Sequence, residues 1–209
     1  MAIIGGQDAC DGAILLDKDG TLVDDEPFNV EPSRIRLAPG AEQALWEFAS
    51  LRWPVAVVSN QPGVAFGYFD EASLHAVRVH LARVMAHFGV DFAGFFYCPH
   101  HPQGRDAAYR TVCACRKPAP GLLQAAASHI GVPLSSCWMI GDILDDIEAG
   151  NVAGCHTVLV DCGNETVWQH GAHRTPDHTV ASLDAAARIV VAHASDATDA
   201  VVANAGRPS

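Results

Sequence analysis

The 209-residue sequence has few charged residues, and most of those it has are acidic. Thirteen Lys and Arg side chains stand against 24 Asp and Glu, which gives a formal net charge of −11. This shortage of positive charge argues against a protein that holds nucleic acid through its general surface field. A local cationic pocket or a metal ion can still attract an anionic substrate against that field.

The sequence also lacks an apolar run of the roughly 18 residues that a membrane span requires. Its first residues, MAIIGGQDACDG, lack the basic region and the long apolar region of a secretory signal. Hydrophobic residues make up 49% and charged residues 18%, which excludes disorder for most of the chain. We therefore expect a folded, monomeric protein of the cytoplasm that binds neither nucleic acid nor membrane.

Short apolar runs alternate along the chain with amphipathic, alanine-rich stretches. The runs predict strands over residues 13–17, 54–59, 92–98, 137–141 and 156–161. The stretches predict helices over residues 40–51, 71–88, 120–130, 145–152 and 183–192. Continuous apolar strands separated by helices are typical of a parallel sheet covered on both faces. The prediction is a three-layer α/β fold, a doubly wound parallel sheet in one domain over residues 1–193, with a flexible tail at 194–209.

Polar residues stand where four of these strands end, at Asp17, Ser59, Cys98 and Asp142. Right-handed crossovers bring the carboxyl ends of parallel strands to one edge of the sheet. Ligands of such sheets bind in the crevice outside those ends. We therefore expect the four side chains to face one crevice.

The first motif is LDKDGTL, in which Asp17 ends a buried strand. Its charge is costly there unless a cation or hydrogen bonds await it. Asp19 lies on the same side of an extended chain, and Gly20 allows a sharp turn. Such a pair can divide the work, one carboxylate attacking an electrophile while the other moves protons. A plain strand end followed by a turn gives the same pattern.

The second motif, GDILDD, follows the strand CWMIG and carries Asp142 at its start. Asp146 lies one helical turn later, on the same side as Asp142. Carboxylates that converge from two strand ends form an oxygen-rich site suited to Mg²⁺. Capping of a helix N-terminus also accounts for Asp145 and Asp146.

Two further segments carry groups that can hold a phosphate. Ser59 ends the PVAVV strand, where its hydroxyl and the next backbone N–H can bind a phosphate oxygen, although a serine that begins a turn is common. Arg116 and Lys117 precede a proline-led helix. A lysine there can neutralise a phosphoryl group and the carboxylate that attacks it, whereas the usual place of a lysine is the solvated surface.

The segment 98–117 has no helix or strand periodicity but holds closely spaced cysteines and histidines. It supplies the four ligands that a tetrahedral structural Zn²⁺ site requires, namely Cys98, His100, Cys113 and Cys115. His101 is an alternative to His100, and buried cysteines or a redox pair are alternatives to zinc. Because Lys117 follows closely, a metal clamp on this loop would fix the direction of Arg116 and Lys117.

These segments, in this order and each at a strand end, resemble the haloacid dehalogenase (HAD) superfamily of phosphotransferases over roughly residues 13–165. The resemblance implies that Asp17 attacks phosphorus to form an aspartyl-phosphate and that Asp19 acts as acid and base. It implies that Mg²⁺ binds to Asp17, to the backbone carbonyl of Asp19 and to Asp142. It also implies that Ser59 and Lys117 hold the phosphoryl group.

Two segments, CPHHP…CxCRKPAPG and SNQPG, resemble those of one HAD group. That group removes the 7-phosphate of D-glycero-D-manno-heptose 1,7-bisphosphate, and it shares its fold with the histidinol-phosphate phosphatases. This implies a capless, Mg²⁺-dependent phosphatase with a zinc loop that acts on a small phosphorylated sugar, with histidinol phosphate as the runner-up. Substrate contacts are implied for Arg116, Asn60, Gln61 and the stretch 25–28.

Two departures from that group bear on the substrate. Ile143 stands where the group commonly has Lys, and the segment VDDEPFNVEPSRIRLAPG differs from the sequence usual in that group.

A zinc-loop binding module that recognises nucleic acid or a protein partner is an alternative function, which the excess of acidic residues disfavours. A phosphotransferase or mutase is a third alternative, disfavoured by the lack of an inserted domain that could enclose a second substrate.

Overall fold

The computed structural model describes residues 11–205, with side chains over residues 11–196. Its strands are β1 (Ala13–Leu16), β2 (Val55–Asn60), β3 (Phe92–Cys98), β4 (Cys137–Gly141), β5 (His156–Val160) and β6 (His178–Val180). They form a single parallel sheet in the order β3-β2-β1-β4-β5-β6. The predicted parallel sheet is confirmed, and its strands lie within a residue of the predicted bounds. The short strand β6 was missed, because three residues are too few to show a pattern.

The helices are α1 (Ala41–Leu51), α2 (Gly63–Phe66), α3 (Glu71–His87), α4 (Gly121–Ile130), α5 (Leu144–Ala153) and α6 (Leu183–Ala205), with short 3₁₀ turns at Pro32–Arg34 and Leu134–Ser136. Alternate strand residues point to opposite faces, so Ile14 and Leu16 join the core under α1, α3 and α6. Ala13 and Leu15 join the second core, under α4 and α5. Two buried cores on one sheet confirm the three-layer α/β architecture.

The last helix extends further than its sequence pattern predicts. Helix α6 continues past the predicted end at residue 192 to Ala205 and so includes most of the segment predicted as a tail. The segment is rich in alanine, the best helix former, and has no glycine or proline before Gly206. Residues 206–209 lie outside the described part of the chain, and the domain boundary at residue 193 stays a prediction.

The topology brings the predicted site residues to the middle of the sheet. Strand β1 lies between β2 and β4, and the strand order reverses at β1, which opens a crevice at the carboxyl ends of these strands. Asp17, Ser59 and Asp142 occupy those ends. Within residues 11–205 no second domain is inserted between these elements, in agreement with the capless expectation, although the segment 99–120 between β3 and α4 is long and irregular. None of the described helices combines the length and the apolar character that crossing a membrane requires.

Candidate active site

Asp17 and Lys117 are the centre of a buried ion-pair network. The backbone N–H of Asp17 donates to the carbonyl of Ile140 in β4 at 2.9 Å, which fixes Asp17 at the end of β1. Lys117 Nζ lies 2.5 Å from Asp17 Oδ1 and 2.5 Å from Asp146 Oδ1. It also donates to the carbonyl oxygen of Val58 at 3.0 Å. A lysine from the loop after β3 therefore ties β1 to α5.

Three buried carboxylates converge beside this lysine. One oxygen of each of Asp17, Asp142 and Asp146 lies within 4.8 Å of the other two. The three side chains belong to two neighbouring strand ends and to the first turn of α5, as the spacing of GDILDD predicts. Asp146 was open to interpretation as a helix cap, and its Oδ2 does accept from the backbone N–H of Ile143 at 3.4 Å. Its other oxygen faces the cluster, so Asp146 belongs to the site.

The charges of this cluster are not balanced by Lys117 alone. Burial opposes the charge of Lys117, but Asp146 and Asp17 outweigh it and raise the pKa of the lysine. Burial and the charge of Asp17 raise the pKa of Asp142 to about 6. Burial likewise raises the pKa of Asp146 against the pull of Lys117. Excess negative charge on closely spaced oxygen donors is what a divalent cation such as Mg²⁺ relieves, so these residues fit that ion.

Asp19 is held by two neighbours that point its carboxylate into the same crevice. Gln61 Nε2 donates to Asp19 Oδ2 at 3.0 Å and to Ser59 Oγ at 2.8 Å. Lys18 Nζ forms an ion pair with Asp19 Oδ1. Burial raises the pKa of Asp19, while the charge of Lys18 lowers it. A positioned carboxyl group with a raised pKa can keep a proton and donate it, as a general acid does.

Lys18 is a site residue that the sequence argument missed. The chain has two lysines, Lys18 and Lys117, and both are buried, with exposed fractions of 1% and 2%. A lysine between two aspartates suggests a solvated side chain, so the motif itself does not indicate a buried role for Lys18. The rarity of lysine beside eleven arginines was the signal that could have singled it out.

Residues from the loops after β1 and β5 orient Asp142, and the sequence argument did not predict these contacts. Asn164 Nδ2 donates to Asp142 Oδ2 at 2.7 Å, and Thr21 Oγ1 donates to Asp142 Oδ1 at 3.0 Å. Gly20 has a positive φ of 82°, and a Cβ atom there would collide with the carboxylate of Asp142. These contacts orient Asp142 toward Asp17. Nothing in the sequence near Asn164 indicates this role, because the contact spans 22 positions that include α5 and β5 and ends in an irregular loop.

The predicted substrate contacts lie around Lys117. Asn60 accepts from the backbone N–H of Lys117 and donates to its carbonyl, both at 3.0 Å. Its amide therefore holds the lysine backbone in place, and a direct contact of Asn60 or Gln61 with substrate stays a prediction. Arg116 Nη1 is buried and has no hydrogen-bond partner among the described residues. A buried, unpartnered guanidinium nitrogen is available to an anionic ligand.

The predicted zinc ligands form a compact cluster. Cys115 Sγ lies 3.1 Å from Cys98 Sγ and 3.2 Å from Cys113 Sγ, and Cys98 Sγ lies 3.5 Å from Cys113 Sγ. His100 Nδ1 lies 3.4 Å from Cys115 Sγ and 3.7 Å from Cys98 Sγ. The three cysteines are free thiols. Three sulfurs and one nitrogen at these separations fit tetrahedral coordination of a single Zn²⁺ ion.

His101, the alternative to His100, lies outside this cluster. Its Nδ1 accepts from the backbone N–H of Gln103 at 3.1 Å, and its ring packs on Phe66 with centroids 4.8 Å apart. The geometry therefore selects His100 as the fourth member of the group. The group joins Cys98, at the end of β3, to Cys113 and Cys115, which closely precede Lys117. It can therefore fix the loop that carries Lys117.

The doubly wound sheet brings together two aspartates that follow β1, a strand-end serine, a buried lysine and a second aspartate pair. This combination defines a phosphatase of the HAD-like class. A family model described as HAD-hydrolase-like matches residues 114–186. A protein of Escherichia coli K12 named D-glycero-beta-D-manno-heptose-1,7-bisphosphate 7-phosphatase is 38% identical over 152 residues, which are 72% of this chain and 80% of that protein. A protein of the same name from Pseudomonas aeruginosa is 35% identical over 151 residues, 72% of this chain and 81% of that protein.

Solved structures agree. The D,D-heptose 1,7-bisphosphate phosphatase of B. bronchiseptica, in complex with magnesium and phosphate, superposes with a TM-score of 0.72 at 34% identity, covering 87% of this chain and 99% of that one. A HAD-like phosphatase from Mesorhizobium loti superposes with a TM-score of 0.74 at 27% identity, covering 88% of this chain and 87% of that one. The chain belongs to the family of HAD phosphatases that contains the heptose-1,7-bisphosphate 7-phosphatases.

Proposed function

We propose that this phosphatase removes a phosphate from a small phosphorylated sugar, with D-glycero-D-manno-heptose 1,7-bisphosphate, cleaved at its 7-phosphate, as the first candidate. The observation that carries the proposal is the buried cluster in which Lys117 Nζ lies 2.5 Å from Asp17 Oδ1 beside Asp142 and Asp146. The relatives named for this substrate match most of the chain.

In the proposed reaction, a carboxylate oxygen of Asp17 bonds to phosphorus while the bond from phosphorus to the sugar oxygen breaks. Asp19 gives its proton to the departing oxygen. It then takes a proton from the water that attacks the phosphorus of the aspartyl-phosphate, which returns free phosphate and the Asp17 carboxylate. Lys117 and Ser59 hold the phosphoryl oxygens, and Gln61 and Lys18 hold Asp19 in position.

Two metal ions belong to the proposal. Asp17, Asp142 and the backbone carbonyl of Asp19 would hold Mg²⁺, with Asp146 beside them. When bound, this ion offsets the repulsion between the carboxylates and an anionic phosphate ester.

A structural Zn²⁺ would be held by Cys98, His100, Cys113 and Cys115. It would fix the loop leading to Arg116 and Lys117. We also propose that the protein acts as a monomer in the cytoplasm.

Phosphate release from a panel of sugar bisphosphates, sugar monophosphates and histidinol phosphate tests the proposal. We expect Mg²⁺-dependent release that EDTA abolishes, with the highest kcat/KM on the heptose bisphosphate. Equal activity on all esters, or none on sugar phosphates, would overturn the substrate assignment. Histidinol phosphate is the second candidate, favoured by Ile143, which leaves the site without a cation where the heptose group commonly has one.

A further inference from the structure

A group of aromatic side chains lies beside the catalytic crevice, at the surface. We call it the aromatic patch and define it by Phe28, Phe66, Tyr68 and His101. The rings of Phe28 and Tyr68 are 4.6 Å apart in edge-to-face contact, and those of Phe66 and Tyr68 are stacked at 5.8 Å. The His101 ring packs on Phe66 at 4.8 Å. The four rings are thus in contact with one another, and they come from three separate segments of the chain.

The patch is exposed, although aromatic rings are costly to leave in water. Phe28 is 48% exposed and Tyr68 is 52% exposed. Phe28 also has a positive φ of 58°, a conformation that bulky residues rarely adopt. Two neighbouring half-exposed rings, one of them on a strained backbone, contribute little to the core and are available to a ligand.

The three segments that carry the patch are connected in the chain to the catalytic residues. Phe28 lies in the segment that follows Asp19, and Phe66 ends α2, which begins two residues after Gln61, the residue that donates a hydrogen bond to Asp19. His101 belongs to the same loop as Arg116 and Lys117, between β3 and α4. The organic part of a phosphate ester with its phosphorus at Asp17 must leave the buried crevice, and the segments that carry Phe28 and Phe66 follow Asp19 and Gln61 closely in the chain.

Two arginines flank the rings. The guanidinium of Arg105 lies over the Tyr68 ring, 5.8 Å from its centroid, and Arg116 Nη1 is buried without a partner among the described residues. Aromatic faces suit the C–H face of a sugar ring, and guanidinium groups suit an anionic group carried by that ring. The combination fits a cyclic sugar with a second negative charge better than a small acyclic ester.

We propose that the aromatic patch is the subsite for the ring of the sugar phosphate and sets the preference for cyclic over acyclic esters; this inference rests on the proposed function. Tyr68 and Phe28 are its specificity-determining residues. Because they contact only the part of the substrate that does not react, they contribute binding energy equally in the ground state and the transition state. Their loss should raise KM and leave kcat nearly unchanged.

The test compares two substrates, the heptose bisphosphate and acetyl phosphate, which has no ring. Tyr68→Ala and Phe28→Ala should each raise KM for the sugar about fivefold to tenfold while kcat stays within about twofold. For acetyl phosphate, kcat/KM should stay within about twofold of wild type. Tyr68→Phe, which keeps the ring, should behave as wild type. Trp46→Ala is the matched control, since Trp46 is 53% exposed but lies on α1, outside the patch.

The outcomes separate the two proposals. Unchanged KM for the sugar in both alanine variants, or an equal loss on both substrates, would overturn the subsite while the phosphatase assignment stands. Wild-type protein that hydrolyses acetyl phosphate but no sugar phosphate would overturn the proposed substrate class itself. Circular dichroism checks the fold, and if Phe28→Ala unfolds, Tyr68→Ala with its Tyr68→Phe rescue decides the question alone.

Discussion

Lys117 and Asp17 are a hundred positions apart in the chain, yet Lys117 Nζ lies 2.5 Å from Asp17 Oδ1 in a buried ion pair. The pair connects the loop after β3 to the end of β1. Its lysine faces two carboxylates at once, because Asp146 Oδ1 is equally close. This one cation therefore holds the carboxylates of Asp17 and Asp146 together in a single buried site.

Replacing this cation should remove most of the activity. We expect Lys117→Met to lower kcat by about 10²–10³-fold, because charge on the transferring phosphoryl group loses its nearest protein cation. Steady-state phosphate release with saturating Mg²⁺ measures the effect. Arg110→Met, which removes an exposed cation from the same loop, is the control and should keep wild-type kcat. Equal losses in the two variants would contradict a special role for Lys117.

Asn60 should act on stability as well as on catalysis. Its amide makes two hydrogen bonds to the backbone of Lys117, so Asn60→Ala should lower the free energy of unfolding by about 1–3 kcal/mol. Asn60→Asp keeps the acceptor but sets a second oxygen against the carbonyl oxygen of Lys117, so it should lose at least as much stability as Asn60→Ala. Urea unfolding measures both. Gln43→Ala removes an exposed amide that contacts Glu47 and should change stability by less than about 0.5 kcal/mol.

The cysteine cluster predicts bound zinc in the purified protein. Metal analysis should give close to one zinc per chain for wild type and much less for Cys113→Ser. The variant should also unfold at lower temperature and lose activity, because the loop that carries Lys117 is no longer clamped. Cys162→Ala, outside the cluster, is the control and should keep its zinc. Wild-type stability and activity in zinc-free protein would count against the clamp.

A cluster of histidines lies at the edge of the sheet opposite to the candidate active site. It predicts that the free energy of unfolding falls at acidic pH. The His156 ring stacks on the buried Trp138 and lies 5.0 Å from the His193 ring. Burial first, and then the neighbouring imidazoles of His193 and His178, lower the pKa of His156 below 6.5, although Asp177 opposes them. The folded state thus favours the neutral form of His156. The stabilisation that neutral His156 contributes is present above pH 6.5, and it is lost as the pH falls toward the pKa of His156 in the folded protein.

Urea unfolding of wild type and His156→Phe at neutral and at mildly acidic pH checks this expectation. The phenyl ring keeps the stacking on Trp138 but has no proton to take up. Wild type should therefore lose more stability on acidification than the variant does. Parallel pH profiles for the two proteins would show that His156 does not titrate in this range.

Much of the architecture follows from local sequence pattern. The parallel strands and their helices were predictable because apolar runs alternate with amphipathic stretches, and Asp17, Ser59 and Asp142 lie at one edge because parallel strands end there. Lys117 reaches the same edge through the fold of its loop, which Asn60 holds. The positions of Lys18 and Asn164 were not predictable, because each contact depends on how a side chain or an irregular loop folds back. The contact between Phe28 and Tyr68 was not predictable from the sequence either, because the two rings come from separate loops.

Acid-quench mass spectrometry of the Asp19→Asn variant tests the central claim most directly. This variant lacks the general base and should hydrolyse the intermediate slowly, while acetyl phosphate, whose acetate leaves without a proton, should still form it. The peptide that contains Asp17 should therefore gain the mass of one phosphoryl group after mixing with acetyl phosphate and Mg²⁺. Hydroxylamine should remove that mass, and Asp17→Asn should show neither the modified peptide nor turnover. A phosphoryl group on another residue, or near-normal turnover by Asp17→Asn, would contradict the account.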